Sequence, residues 1–145
     1  MEGEGVDYLF DASALYPATR RIGARLYDLT GRIAVLDLTK YEIGNALWVE
    51  FKKGSIKDWA PVAAFWGVVL RSFRALAVDE IAEAEGIAVK EDVTFYDASY
   101  ICVAKKHGLT LVTQDRRLLS SAARHVPAMG LDKFIGLEIK QEGSQ

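Results

Sequence analysis

Four acidic residues, Asp11, Glu42, Asp97 and Asp115, are where this sequence can do chemistry. Each sits where a hydrophobic strand gives way to a helix or just inside that helix. The segments read VDYLF-Asp11-ASAL, DLTKY-Glu42-IGNAL, DVTFY-Asp97-ASY and LTLVTQ-Asp115-RRL. In an open α/β sheet, strand C-terminal ends and the helix starts above them share one edge, and ligands bind there. Two carboxylates about 4 Å apart repel by roughly 4 kcal/mol at an effective dielectric of about 20, so four gathered together need a compensating cation. Mg²⁺ and Mn²⁺ prefer carboxylate and water oxygens, whereas zinc sites usually include His or Cys. The histidines, His107 and His125, fall at helix ends away from the acidic segments, and Cys102 is the single cysteine. The chemistry such a set supports is metal-assisted hydrolysis, with a bound cation making water a nucleophile at neutral pH.

Each carboxylate also has a structural explanation. Thr39-x-x-Glu42 and Thr94-x-x-Asp97 have the form of a capping box, and Asp11 and Asp115 lie where an N-cap is expected. Acidic residues near helix N-termini gain roughly 0.3–1 kcal/mol from the macrodipole alone. Asp79, which also follows a strand and precedes a helix, is the internal control: it reads as a cap outside the site. The other four differ from it in their company. Ser13 lies two residues after Asp11, and Asn45 lies one helical turn after Glu42, about 60° around the helix. Thr113 precedes Asp115 by two residues, which in an extended strand puts both side chains on one side. Arg116 and Arg117 adjoin Asp115 and are candidates for holding phosphates at the rim, with Arg20, Arg21 and Arg25 as a second set.

The elements that must position these residues alternate. Strands are expected at 6–10, 32–38, 75–78, 109–113 and, at an edge, 126–129. Helices are expected over 13–29, interrupted early by Pro17, over 39–53, from about Ser55 or Asp58 to Phe73, and over 79–88. Further helices run from a Thr94 cap to His107 and over 116–124, with a last turn at 132–137. This alternation predicts a three-layer α/β/α sandwich with a central parallel sheet of about five strands. The chain reads as one domain over 1–145, its tail at 140–145 disordered. Trp59, Val62, Ala63, Trp66, Val69, Leu70 and Phe73 form one helical stripe, and Phe65 and Val68 widen it beyond a single core contact.

Half of the 145 residues are hydrophobic, enough for a core without disulfides, and one cysteine suits a reducing, cytoplasmic compartment. The N-terminus lacks the basic-then-apolar pattern of a signal peptide. The longest apolar stretch, 60–70, falls short of the roughly 20 residues that span a bilayer. A net charge of −2 argues against broad electrostatic binding to nucleic acid but leaves room for a nuclease whose acidic cluster has a basic rim.

The segments Asp11-Ala-Ser13-Ala-Leu, Glu42-Ile-Gly-Asn45-Ala-Leu, Tyr96-Asp97-Ala-Ser-Tyr100 and Leu111-Val-Thr113-Gln-Asp115-Arg-Arg-Leu118 resemble those of PIN-domain ribonucleases, most closely the VapC-type toxins of toxin–antitoxin pairs. Val126-Pro-Ala-Met is similar to the family's last strand. The match runs in order from Tyr8 to Leu137. The resemblance implies an acidic site that binds Mg²⁺ or Mn²⁺ and cleaves RNA. It puts Asp11, Glu42, Asp97 and Asp115 in the catalytic and metal-ligating positions, with Ser13, Asn45 and Thr113 in support. It also implies an antitoxin protein as partner, seated near the hydrophobic helix, and a homodimer.

Two other readings compete with a toxin endoribonuclease. One keeps the fold and the metal but acts in RNA maturation as a housekeeping nuclease. The other is a receiver-like signalling domain, which needs a lysine directly at the end of the strand closing on Thr113, where Gln114 and Asp115 stand instead.

Overall fold

A computed structural model of the chain describes residues 5–139, so the expected disordered tail at 140–145 lies outside the described residues. Five strands form one parallel sheet: β1 (Tyr8–Phe10), β2 (Ile33–Leu36), β3 (Arg74–Leu76), β4 (Thr110–Val112) and β5 (Ala128–Met129). Their spatial order is β3-β2-β1-β4-β5. The helices are α1 (Ala12–Ile22), α2 (Thr39–Lys52), α3 (Trp59–Arg71), α4 (Ile81–Glu91), α5 (Phe95–His107), α6 (Arg116–Ala122) and α7 (Leu131–Glu138).

Successive strand side chains point to opposite faces, so each buried strand divides its residues between two cores. Tyr8 and Phe10 of β1, Ile33 and Val35 of β2 and Val112 of β4 pack on one side with Leu15, Ile43, Trp66, Val69 and Phe134. Leu9, Ala34, Leu36 and Leu111 pack on the other with Tyr100, Ile101, Val103 and Leu118. The first layer therefore comes from α1, α2, α3 and α7, and the second from α5 and α6, with α4 laid against α5. Burying each large apolar side chain contributes roughly 1.5–3 kcal/mol. Aromatic contacts tighten the first layer. Tyr16 stacks on Trp66 at 5.4 Å, and Phe134 meets Tyr8 and Phe10 edge-on, each at 4.9 Å.

Three expectations need correction. Pro17 does not interrupt α1, which runs unbroken from Ala12 to Ile22. The helix stops instead at Gly23, whose φ of 51° is one that a side chain disfavours, and a 3-10 segment, Gly23–Arg32, replaces the expected continuation to Leu29. The segment before Asp97 is not a strand: α4 ends at Glu91, Asp92 turns the chain at φ 55°, and Phe95 and Tyr96 already belong to α5. Asp97 reaches the strand C-terminal edge by another route, because α5 runs back antiparallel to β4 and begins at that edge.

Candidate acidic metal site

The chain builds outward from β1 through β2 to β3, then returns to lay β4 and β5 on β1's other side. Strand order reverses between β1 and β4, and the crevice beyond their C-terminal ends is where such sheets bind ligands. Asp11 follows β1 directly and Thr113 follows β4 directly. Asp11 is 6% exposed and caps α1. Its Oδ1 accepts from Ser13 Oγ at 2.8 Å and from Ala14 N at 3.1 Å, while Oδ2 accepts from Thr113 Oγ1 at 2.6 Å. Thr113 Oγ1 in turn accepts from Asp115 N at 3.1 Å, and Ser13 Oγ accepts from Gln114 N at 2.9 Å. Each hydroxyl thus spends its one proton on Asp11 and receives one from the backbone after β4. Two short side chains latch β1's end to β4's across the crevice.

Asp115 caps α6, its Oδ1 accepting from Arg117 N at 2.9 Å and Leu118 N at 3.2 Å. Asp97 behaves otherwise. Its backbone N–H bonds Thr94 Oγ1 at 3.1 Å, yet among the described residues its carboxylate makes no hydrogen bond, so the reciprocal half of a capping box is missing. Glu42 is no capping partner either. Leu38 precedes α2 without a side-chain cap, and Thr39 Oγ1 instead accepts from Leu36 N at 3.1 Å and contacts Tyr100 Oη at 2.8 Å. Tyr100 Oη donates to Glu42 Oε1 at 2.5 Å.

Electrostatics join the four into a closed ring. Burial raises the proton affinity of Asp11 above the usual carboxylate range, against the hydrogen bonds from Thr113, Ser13 and Ala14, and the charge of Asp115 adds to the rise. Glu42 is raised by burial and by the charges of Asp11 and Asp97, against the bond from Tyr100. Asp97 is raised by burial and by Asp115, with the Arg117 guanidinium opposing. Like-charge coupling therefore runs from Asp11 to Glu42 to Asp97 to Asp115 and back to Asp11. No three acidic, His or Cys side chains among the described residues close on one point as a ligand shell. The four stand around the edge, each on its own element.

The donor set nevertheless suits a hard divalent cation. Among the described residues, Glu42 Oε2, Asp115 Oδ2 and both carboxylate oxygens of Asp97 carry no hydrogen bond, and Asp11 Oδ2 carries one. Every member of the ring keeps a lone pair, and burial penalises an uncompensated charge on Asp11, Glu42 and Asp97.

The remaining residues divide. Asn45 is exposed one turn beyond Glu42 and makes no hydrogen bond to the ring among the described residues. Arg117 faces Asp97 and donates to the Asp92 carbonyl at 2.9 Å, while Arg116 is exposed beside it. Arg21 pairs with Asp132 at 2.6 Å, and Arg20 lies 5.8 Å from the Tyr16 ring centroid. His125 bonds Glu91 at 2.6 Å, away from the ring. Asp79 is excluded, and not as a cap: Glu80 precedes α4, and Asp79 pairs with Lys106 in the last turn of α5, opposite the end that carries Asp97. Thr39, which the sequence offered only as half of a capping box, and Tyr100, to which it gave no role, both stand at the site. Tyr100 lies three residues after Asp97 on α5, but its hydroxyl's target is a residue of another helix.

Beyond the ring, α3 buries Trp66 and Val69 and leaves Trp59 59%, Phe65 50% and Val68 51% exposed. Gly44, Leu47, Trp48 and Phe51 of α2 form with Trp59 and Ala63 an apolar groove of about 300 Å³. A second apolar groove, of about 200 Å³, lies on α3's other flank, where Phe65 and Phe73 face Leu26 and Tyr27. No described helix is long and apolar enough to cross a membrane.

The sequence model of the PIN domain matches residues 8–124. Exonuclease VapC9 of Pyrobaculum aerophilum is 45% identical over 115 residues, which cover 79% of this chain and 85% of that one. Ribonuclease VapC3 of the same organism is 37% identical over 112 residues, 73% of this chain and 85% of the relative. The crystal structure of PAE2754 from Pyrobaculum aerophilum has a TM-score of 0.86 at 38% identity, covering 96% of this chain and 99% of its own. The DNA-bound VapBC of Salmonella typhimurium shares the fold, with a TM-score of 0.64 at 18% identity over 87% of this chain and 98% of that one.

Proposed function

The chain belongs to the PIN-domain family and is a nuclease of the VapC type, and from that premise we propose that it is a Mg²⁺- or Mn²⁺-dependent endoribonuclease, the toxin of a toxin–antitoxin pair acting in the cytoplasm. The observation that carries the reading is the ring itself: four carboxylates from four elements, coupled as like charges at the sheet's switch point, three of them pushed up in proton affinity by burial. Mutually repelling carboxylates with raised proton affinity concentrate at functional sites, and a bound cation would compensate their cost.

Asp11 and Asp97 are the direct metal ligands in this reading, with Glu42 and Asp115 ligating directly or through water. When bound, Mg²⁺ or Mn²⁺ offsets the carboxylates' repulsion, stabilises charge on the phosphoryl oxygens and makes water a nucleophile at neutral pH. The chain's own residues do the rest. Ser13 and Thr113 hold Asp11 in one rotamer, and Thr113 also fixes the turn that presents Asp115. Arg117, which donates to the Asp92 carbonyl and whose charge opposes that of Asp97, would meet a phosphate in this reading, with Arg116 beside it. Asn45 extends the polar strip beyond Glu42. The exposed apolar surface of α2 and α3 serves association, with a second copy in a homodimer and with the antitoxin.

The experiment is cleavage of linear and circular RNA with Mg²⁺, with Mn²⁺ and with a chelator. The reading requires cleavage of both substrates that chelation stops. Chelator-resistant cleavage would remove the metal from the mechanism, and intact circles beside degraded linear RNA would make the enzyme an exonuclease.

A further inference from the structure

A buried chain of hydroxyls ends on Glu42, and its direction is fixed by proton accounting. Leu36 N–H can only donate, so Thr39 Oγ1 is its acceptor, at 3.1 Å. Tyr100 Oη donates its single proton to Glu42 Oε1, so at the 2.8 Å contact between the two hydroxyls Thr39 is the donor. Thr39 is 0% and Tyr100 1% exposed, so neither hydroxyl has water as a substitute partner. The chain runs from the end of β2, through α2's first residue and across to α5, before it emerges at a half-buried carboxylate.

Satisfying two buried hydroxyls does not require an acid at the end. Glu42 sits among the charges of Asp11 and Asp97, and a long flexible side chain repelled by both would swing toward solvent. The Tyr100 proton holds one oxygen against that repulsion and leaves Oε2 without a hydrogen bond among the described residues. We propose that Thr39 and Tyr100 are positioning residues: a two-hydroxyl relay that presents Glu42 to the site as a ligand through Oε2 alone. This rests on the acidic ring being a metal site.

The test reads metal binding directly, by the loss of the free Mn²⁺ electron paramagnetic resonance signal on titration with protein. Native chain, Asp97→Asn, Tyr100→Phe, Thr39→Val, Thr39→Ser and the Thr39→Val/Tyr100→Phe double variant are compared after each is shown to unfold cooperatively. Removing a hydrogen-bond partner of a metal ligand typically costs about 10–100-fold in affinity, and Tyr100→Phe is expected to fall in that range. Thr39→Val is expected to weaken binding less, and Thr39→Ser, which keeps the hydroxyl, to stay close to the native chain. The double variant is expected to bind no worse than Tyr100→Phe, because Thr39 acts only through Tyr100. If Tyr100→Phe does not fold, the Thr39→Val and Thr39→Ser pair decides alone.

Native-like Mn²⁺ affinity in Tyr100→Phe, or equal affinities for Thr39→Val and Thr39→Ser, overturns the relay. Should Asp97→Asn meanwhile lose binding, the metal site itself still stands. A native chain that binds no Mn²⁺ overturns both.

Discussion

Asp97 separates charge from scaffold better than any other member of the ring. Its backbone N–H, not its carboxylate, takes the Thr94 cap, so Asp97→Asn leaves the start of α5 intact. The variant is expected to lose RNA cleavage while its metal-free melting temperature stays level or rises, since repulsion from Asp115 is relieved. Undiminished cleavage by the folded variant would falsify the proposed mechanism. The same residue predicts a pH dependence. Asp11, Glu42 and Asp97 hold their protons more tightly folded than at the ordinary values of 3.8 for Asp and 4.5 for Glu. Their contribution to stability is therefore full below those values and lost as pH rises through the raised ones. Asp79, Glu91 and Glu138 are lowered by basic partners or hydrogen bonds and act oppositely, losing stability as pH falls through their depressed values. In chelator, the melting-temperature gain of Asp97→Asn over the native chain is expected to be widest at neutral pH and to shrink on acidification. A gap independent of pH would mean that the ring's repulsion is not being relieved. Tyr100 marks the limit of reading such residues from sequence. Spacing shows that it shares a helix with Asp97, but its proton acceptor sits 58 positions away on α2.

Elements carry the ring through few contacts, and the latch between β1 and β4 is the most concentrated of them. Thr113 is 0% exposed and serves two carboxylate-bearing segments, donating to Asp11 and accepting from Asp115 N. Thr113→Val keeps the shape, removes the donor and leaves a buried carboxylate oxygen short of a partner. The expected loss is about 1.5–3 kcal/mol in urea unfolding, with cleavage reduced as well. A variant as stable and as active as the native chain would reduce the latch to a coincidence of packing. The alternation of strands and helices, the Thr94 cap and the α3 stripe were legible because period and capping chemistry are local. The end of α1 was not: Pro17 is a stronger local breaker than Gly23, yet the helix continues through it with Ala14, Leu15, Ala18 and Ile22 buried along one side. Asp97's junction was misread only in part. The Thr94 cap put Phe95 and Tyr96 in α5, as observed; what fails is only the strand that the pattern around Asp97 implied before it, where Asp92 turns the chain straight from α4 towards α5. Asp79 looked like a cap because its salt-bridge partner, Lys106, is remote in sequence.

At the scale of the molecule, the proposed function assigns catalysis to the acidic ring and association to the apolar grooves beside α3. The ring lies beyond the strand C-termini, and α2 and α3 carry exposed apolar side chains that include Trp48, Phe51, Trp59, Phe65 and Val68. Trp48 is 60% exposed and lines one apolar groove, and Phe65, 50% exposed, lines the other on the far flank of α3. The stripe that looked too wide for one core contact divides accordingly: Trp66 and Val69 go inward, while Trp59, Phe65 and Val68 remain outside. Contiguous apolar surface of this kind marks association, and two grooves can serve two occupants, a second copy and an antitoxin segment. Phe65→Glu and Trp48→Glu charge the grooves separately. Neither side chain is buried in the subunit, so both variants are expected to unfold near the native temperature and to keep metal-dependent RNA cleavage. A charge forced into an apolar contact is expected to weaken association by about tenfold or more, equivalent to roughly 1.4 kcal/mol. Light scattering reads the copy–copy contact and calorimetric titration with the antitoxin reads the other. The variants together are expected to lower both affinities, each acting most on the groove it charges. If both variants dimerise and bind antitoxin as the native chain does, the exposed face of α3 has no part in association, and the partners must meet the molecule elsewhere.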